Sequence, residues 1–89
     1  MNGAQVLVKQ LASEGVDTVF ALPGVQIMSI FDALYGAHER IRLIQTRHEQ
    51  ATTYMAYGYA KATGRVGVAV VVPGPGALNA AAGLGTAYA

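Results

Sequence analysis

The stretch VGVAVVV, residues 66–72, constrains the fold more than any other part of the chain. It holds five valines, one alanine and one glycine, and no polar side chain. A short β-branched run of this kind reads as a strand. It is apolar on both faces, which suits a parallel sheet covered by helices on each side.

The flanking segments supply those helices. Asn2 is placed to cap a first helix with Gln5 as its reciprocal partner. Leu7, Val8, Leu11 and Ala12 then follow at helical spacing, and Gly15 ends the run. DTVFAL (17–22) reads as a buried strand stopped by Pro23-Gly24. Ile27, Ile30, Phe31 and Leu34 define a second helix closed by Gly36, and IRLIQ (41–45) a second strand. A third helix runs from Glu49 to Thr63 with Gly64 as its stop, and a fourth opens after the 66–72 strand. Helix, then strand and helix three times over, predicts an α/β fold of three α/β/α layers around a parallel sheet with right-handed crossovers.

The chain is 53% hydrophobic and 12% charged, about half the usual charged share. An 89-residue domain has little interior for so much apolar surface, so a larger body or an extensive interface is expected to cover part of it. The net charge of +1, without a basic cluster, argues against nucleic acid or an anionic membrane as partner. Cysteine is absent, which removes disulfides and thiolate metal sites. No His or carboxylate pair stands at metal spacing, so no metal site is expected within the chain. There is no signal-peptide core or membrane-length apolar run, and a cytoplasmic location is expected. AAAGLGTAYA (80–89) breaks off inside an apolar pattern with no capping signal, so the domain is expected to continue beyond it.

In such sheets ligands bind beyond the carboxyl ends of the strands. Three segments fall there: LPGVQ (22–26), TRHEQ (46–50) and VPGPGALN (72–79). PGPGALN lets backbone approach a flat or anionic ligand at a helix start, and is equally compatible with a rigid turn. LPGVQ by itself favours the turn, with Gln26 either capping the next helix or facing a substrate. His48 reads as a hydrogen-bonded structural group more than a catalyst. His38, in the charged loop AHERIR, reads as solvent-exposed. Arg47 faces an interface or solvent, or pairs with Glu49 and makes that acid structural. The small residues Ala51, Ala56, Gly58 and Ala60, set among Tyr54, Tyr57 and Tyr59, suit core packing or a subunit interface. Glu49 is the unusual feature, a lone carboxylate heading an apolar helix. Burial of such a group requires pairing, neutralisation or chemistry.

VFALPGV, TRHEQ, MAYGYAKATGRVGV and PGPGALN, in this order and spacing, resemble one family. It is the N-terminal pyrimidine-binding (PYR) domain of thiamine diphosphate enzymes, in the acetolactate synthase and pyruvate oxidase branch. The resemblance implies that residues 1–89 are the N-terminal portion of that domain, holding its first three strands with strand one in the middle. It implies that Glu49 hydrogen-bonds N1′ of the cofactor aminopyrimidine and promotes the 4′-imino tautomer that deprotonates C2 of the thiazolium. A carboxyl shielded from water for that task is expected to have a raised pKa.

Pro75 corresponds to a residue packed on the pyrimidine ring. Gly76, Asn79, Pro23 and Gly24 join Glu49 and Pro75 as cofactor-binding candidates, while Val25 and Gln26 face the substrate. Apolar Val25 leans toward carboligation over decarboxylation. Pro73 replaces the family's usual Ser, and Val25-Gln26 is bulkier than its Gly-Gly or Gly-Ala. The implied activity is that of a lyase or carboligase on small 2-oxo acids. Its partners are thiamine diphosphate, Mg²⁺ bound by ligands in a separate C-terminal domain, and a second subunit in a homodimer or homotetramer. Two alternatives stand beside it: a non-catalytic remnant or interaction module with the same fold, and an unrelated nucleotide-binding α/β domain.

Overall fold

A computed structural model describes residues Met1–Ala89. Helix α1 (Gly3–Ser13) starts at Asn2, whose side chain accepts from the Gln5 amide while Gln5 Oε1 accepts from the Asn2 amide, the expected capping box. Strand β1 (Thr18–Ala21) follows, then a 3-10 turn (Val25–Ile27) and α2 (Met28–Gly36). Strand β2 (Arg42–Gln45), α3 (Glu49–Thr63), β3 (Val68–Val70) and α4 (Pro75–Tyr88) complete the chain. Gly64 ends α3 in the left-handed region at φ 73°.

The sheet is parallel in the order β2-β1-β3. Its register sets Val19 beside Leu43 and Val68, and Ala21 beside Val70, so these side chains share one face. There they join Val8 of α1, Leu34 of α2 and Ile41 in the core, with Leu11, Ile30 and Phe31 packed around them. The opposite face presents Phe20, whose ring meets Tyr59 of α3 edge-on at 6.0 Å. Helices α1 and α2 pack on each other on the first face. Helix α3 packs on β1 and β3 on the second, and α4 packs on α3.

The expected placement of strand one in the middle settles which strand is most deeply buried. The run 66–72 narrows to β3, whose three residues are all only half-buried, and Val66 is 75% exposed. The buried strand is β1, where Val19 and Ala21 are 0% exposed, because it alone has a neighbour on each side. Helix α2 begins one step later than its periodicity suggests, behind the 3-10 turn that holds Ile27.

Small residues bring the layers close. A side chain at Gly67 would run into the carbonyl oxygen of Ala56, and one at Gly83 into Thr53. Thr53 Oγ1 donates to the Ala80 carbonyl at 2.7 Å, tying α3 to α4. Beyond these contacts much apolar surface stays open. An apolar groove of about 600 Å³ runs between α3, α4 and β3, bordered by Ala56, Ala60, Ala69, Val71 and Leu84. No helix is long and apolar enough to cross a membrane.

At the amino ends of the strands, Asp17 accepts from Tyr59 Oη at 2.7 Å and from Arg65 Nη1 at 2.8 Å. Arg65 Nη2 also donates to the Gly15 carbonyl at 2.7 Å. This network joins the turn before β1 to the turn before β3. The Tyr59 hydroxyl, then Arg65 and Thr18, hold the Asp17 carboxyl below its ordinary pKa.

Two predictions follow from these contacts. Gly67→Ala should destabilise by about 2 kcal/mol or more, since the obstacle is backbone. Gly58→Ala, where a Cβ meets nothing within 4 Å, should be neutral or stabilising by up to about 1 kcal/mol. Urea titration of both variants checks the contrast. The second concerns pH. A carboxyl with a depressed folded pKa contributes stability above its unfolded value, about 3.9 for Asp, and loses it as pH falls through the folded value. Asp17→Asn should therefore lower stability at neutral pH and flatten the decline below about pH 4, as followed by melting temperature against pH.

Candidate active site

The three strand-end segments form one site because the three strands run parallel and side by side. Thr46, buried just past β2, shapes the middle segment. Its amide donates to the Ala21 carbonyl at 3.0 Å and its hydroxyl to the His48 carbonyl at 2.9 Å. His48 is extended and caps α3, its Nδ1 accepting from the Gln50 amide at 3.0 Å. The proton of a neutral His48 ring therefore sits on Nε2. Glu49 is thereby the first residue of α3, its carbonyl held by the fully buried Thr52 hydroxyl at 2.6 Å.

The Glu49 side chain points at α4. Oε1 accepts from Asn79 Nδ2 at 3.2 Å. Oε2 lies 3.6 Å from where a Cβ of Gly76 would stand. Arg47 is exposed and makes no ion pair with Glu49; the only salt bridge in the molecule is Arg65–Asp17. The structural reading of Glu49 as a partner of Arg47 therefore fails.

The expected rise in the Glu49 pKa is also corrected. Its carboxyl lies below the usual glutamate value, held there by its own backbone amide at the helix start and then by the Asn79 amide. Partial burial opposes them and loses, because Glu49 is only half-buried. The carboxylate is ionised at neutral pH.

The third segment turns on Gly74, at φ 73° and ψ −119°, a conformation suited to glycine. It caps α4 without a side chain, and Pro75 takes the first helical position, where its missing N–H costs nothing. Gly76 is buried, and a Cβ there would come within 2.6 Å of Val72 Cγ2. A side chain at Gly24 would run into Val72 Cγ1. The two methyls of Val72 thus separate the Pro-Gly turn after β1 from the Gly-Pro-Gly turn after β3.

Glu49, Gly76 and Asn79 come together, and Gly24 joins them through Val72. Pro23 and Pro75 are exposed beside them. Val25 and Gln26 lie on the outside of the 3-10 turn, with Val25 88% exposed, and Gln26 provides no cap. His38 is exposed as expected, its Nδ1 2.8 Å from the Tyr35 carbonyl. Val72 and Thr46 were not among the residues singled out from sequence. Their signal was slight: one closes an apolar run, and the other is a threonine just before the charged turn.

Residues 1–89 match the family described as thiamine pyrophosphate enzyme, N-terminal TPP binding domain. The match takes in the whole chain. The chain belongs to that family. It is 44% identical to the acetolactate synthase large subunit of Buchnera aphidicola subsp. Schizaphis graminum, across 99% of this chain and 15% of that protein. It is 47% identical to the acetolactate synthase isozyme 3 large subunit of Escherichia coli K12, across 99% and 15%. A probable 2-ketoarginine decarboxylase of Pseudomonas aeruginosa is 46% identical across 100% of this chain and 16% of its own length. This TPP-binding domain sequence thus spans about a sixth of the relatives it matches, and spans it without large gaps.

The nesting of Val72 in this domain is testable. Gly24→Ala should cost about 1–3 kcal/mol through its collision with Val72. Val72→Ala removes the obstacle, so the double variant should be more stable than the sum of the single effects predicts, a coupling of about 0.5–3 kcal/mol. Additive effects in chemical denaturation would mean that the two residues do not share this contact.

Proposed function

We propose that this chain is the pyrimidine-binding part of a thiamine diphosphate-dependent lyase or carboligase acting on small 2-oxo acids, with Glu49 as its catalytic acid-base group. The observation that carries the reading is the ionised Glu49 carboxylate, offered beside a glycine at the meeting of three strand-end turns. When bound, thiamine diphosphate supplies the electron sink for bond cleavage or formation next to the 2-oxo group.

The residues present suit the pyrimidine half of that cofactor. A side chain at Gly76 would begin 3.6 Å from Oε2, so its absence suits a flat ring approaching that oxygen. Pro75, Pro23 and Gly24 offer apolar ring and backbone surface around it, and Asn79 adds an amide. Glu49 holds or releases a proton at N1′ of the ring, and an ionised carboxylate is the form able to receive one. Val25 and Gln26, on the exposed turn, face the substrate, and an apolar Val25 favours carboligation.

The diphosphate and Mg²⁺ take their ligands outside residues 1–89, whose acids and histidines form no group of three able to hold a metal. The chain is in this reading the N-terminal portion of its domain. The open groove along α3, α4 and β3, and exposed Leu78 and Leu84, support coverage by further polypeptide, including a second subunit in a homodimer or homotetramer.

Glu49→Gln tests the assignment, since the amide keeps the shape but cannot exchange a proton as a carboxyl does. In the cofactor-loaded protein, hydrogen-deuterium exchange at the cofactor C2 should slow by about 10²- to 10⁴-fold, with cofactor still bound. An unchanged exchange rate in a folded, loaded variant would leave Glu49 a merely structural acid.

A further inference from the structure

Helix α4 is built almost wholly of Ala, Gly and Leu, and before Thr86 it carries a single hydrogen-bonding side chain, that of Asn79. Asparagine is a poor helix-interior residue, favoured at caps and turns. Asn79 is not a cap, because Gly74 holds that position. Its side-chain amide instead crosses to the neighbouring helix and donates to Glu49 Oε1 at 3.2 Å. The other carboxylate oxygen, Oε2, accepts from no side chain and lies 3.6 Å from where a Cβ of Gly76 would stand.

We propose that Asn79 is a positioning residue for Glu49: it holds Oε1, fixes the carboxylate plane, and leaves Oε2 as the oxygen presented to the ring nitrogen. The inference rests on the function proposed for Glu49 and deepens it, moving Asn79 from a direct cofactor contact to one that acts through the acid. The terminal torsion of glutamate is broad, so an unheld carboxylate samples many orientations. A single donor on one oxygen removes that freedom and distinguishes the two oxygens. It also favours the charged form, which keeps the acid unprotonated until the ring arrives. The other groups acting on the carboxyl are its own helix amide and His48. Neither distinguishes Asn79 from an apolar residue, so the contribution of Asn79 is separable.

Nuclear magnetic resonance on the cofactor-free protein tests this without any substitution at position 79. The side-chain NH₂ resonances of Asn79 should shift with pH through the midpoint of Glu49, read from its carboxyl carbon, and that shift should vanish in Glu49→Gln. In Asn79→Leu the Glu49 midpoint should move up toward the ordinary glutamate range, while Asn79→Gln, which keeps the amide, should restore part of the difference. An Asn79 amide that ignores Glu49 titration overturns the proposal, as does a folded Asn79→Leu with an unmoved Glu49 midpoint. Should Asn79→Leu fail to fold, the wild-type amide shift still decides. Cofactor C2 exchange separates the two readings. Loss of exchange in Glu49→Gln together with a silent Asn79 amide overturns this inference and leaves the proposed function standing. A responsive amide with unchanged exchange does the reverse.

Discussion

Strand β1 lies between β2 and β3, hydrogen-bonded in parallel to both, and the site depends on that arrangement more than on any side chain. Parallel pairing sends all three strands toward one edge, so the turns that follow them emerge together. The pairing continues past the strands themselves. Leu22 donates its amide to the Val70 carbonyl at 3.3 Å, and Thr46 donates to Ala21 at 3.0 Å. Each strand therefore hands its neighbour's position on to the turn beyond it. Glu49 reaches α4 because β1 spans the gap between β2, which leads into α3, and β3, which leads into α4.

Close approach then depends on what is missing from the side chains. Gly67 lets β3 lie against the Ala56 carbonyl, and Gly83 lets α4 lie against Thr53. Gly24 and Gly76 let two turns close on the methyls of Val72. Side chains at these four positions would wedge the layers apart at both ends of α4 and carry Asn79 out of reach of Glu49. At the opposite edge Asp17, Tyr59 and Arg65 supply a polar counterpart, joining the turns where β1 and β3 begin. That network is half-exposed, so its contribution is modest and salt-sensitive. Its value is positional, since it ties together the turns at the amino edge of the sheet, beside the Gly67 contact.

Much of this was legible in the residues. The Asn2–Gln5 capping box, the stop at Gly64, the parallel sheet and the convergence of three turns follow from local rules of spacing and chirality, and the place of strand one in the middle from the family resemblance. Burial was less legible. Hydropathy alone makes the run 66–72 the most apolar strand in the chain; its place at an edge comes with the order that puts strand one in the middle, because hydropathy reports what a residue prefers and not how many neighbours the topology supplies. The Asp17–Arg65 pair was missed because the partners are 48 residues apart, although each stands just before a strand and those strands are adjacent. The role of Val72 is not legible in the sequence because it comes from two glycines on separate turns, which no local window contains.

The Glu49 pKa shows how context reverses an inference drawn from composition. An apolar helix suggested a shielded carboxyl and hence a raised pKa. Shielding depends on what lies over the helix start, and there the chain leaves Glu49 half in water. Position decides the sign instead. At the first turn of α3 the free amide and Asn79 both donate to the carboxylate, and donors favour the charged form. The raised value belongs to a covered carboxyl, the lowered one to an uncovered carboxyl with the same donors. Under the proposed function the two are successive states of one group: ionised while open to water, and drawn toward sharing a proton once a ring excludes water and brings a basic nitrogen to Oε2. The donors hold the carboxylate ionised until then; desolvation by the ring raises its proton affinity, so it takes up a proton from solvent, and the difference in proton affinity between carboxylate and nitrogen narrows. Proton exchange between two groups is fastest when those affinities approach each other. A carboxylate that is anchored at one oxygen and covered only by its ligand meets both requirements, and a fully buried one would meet only the second.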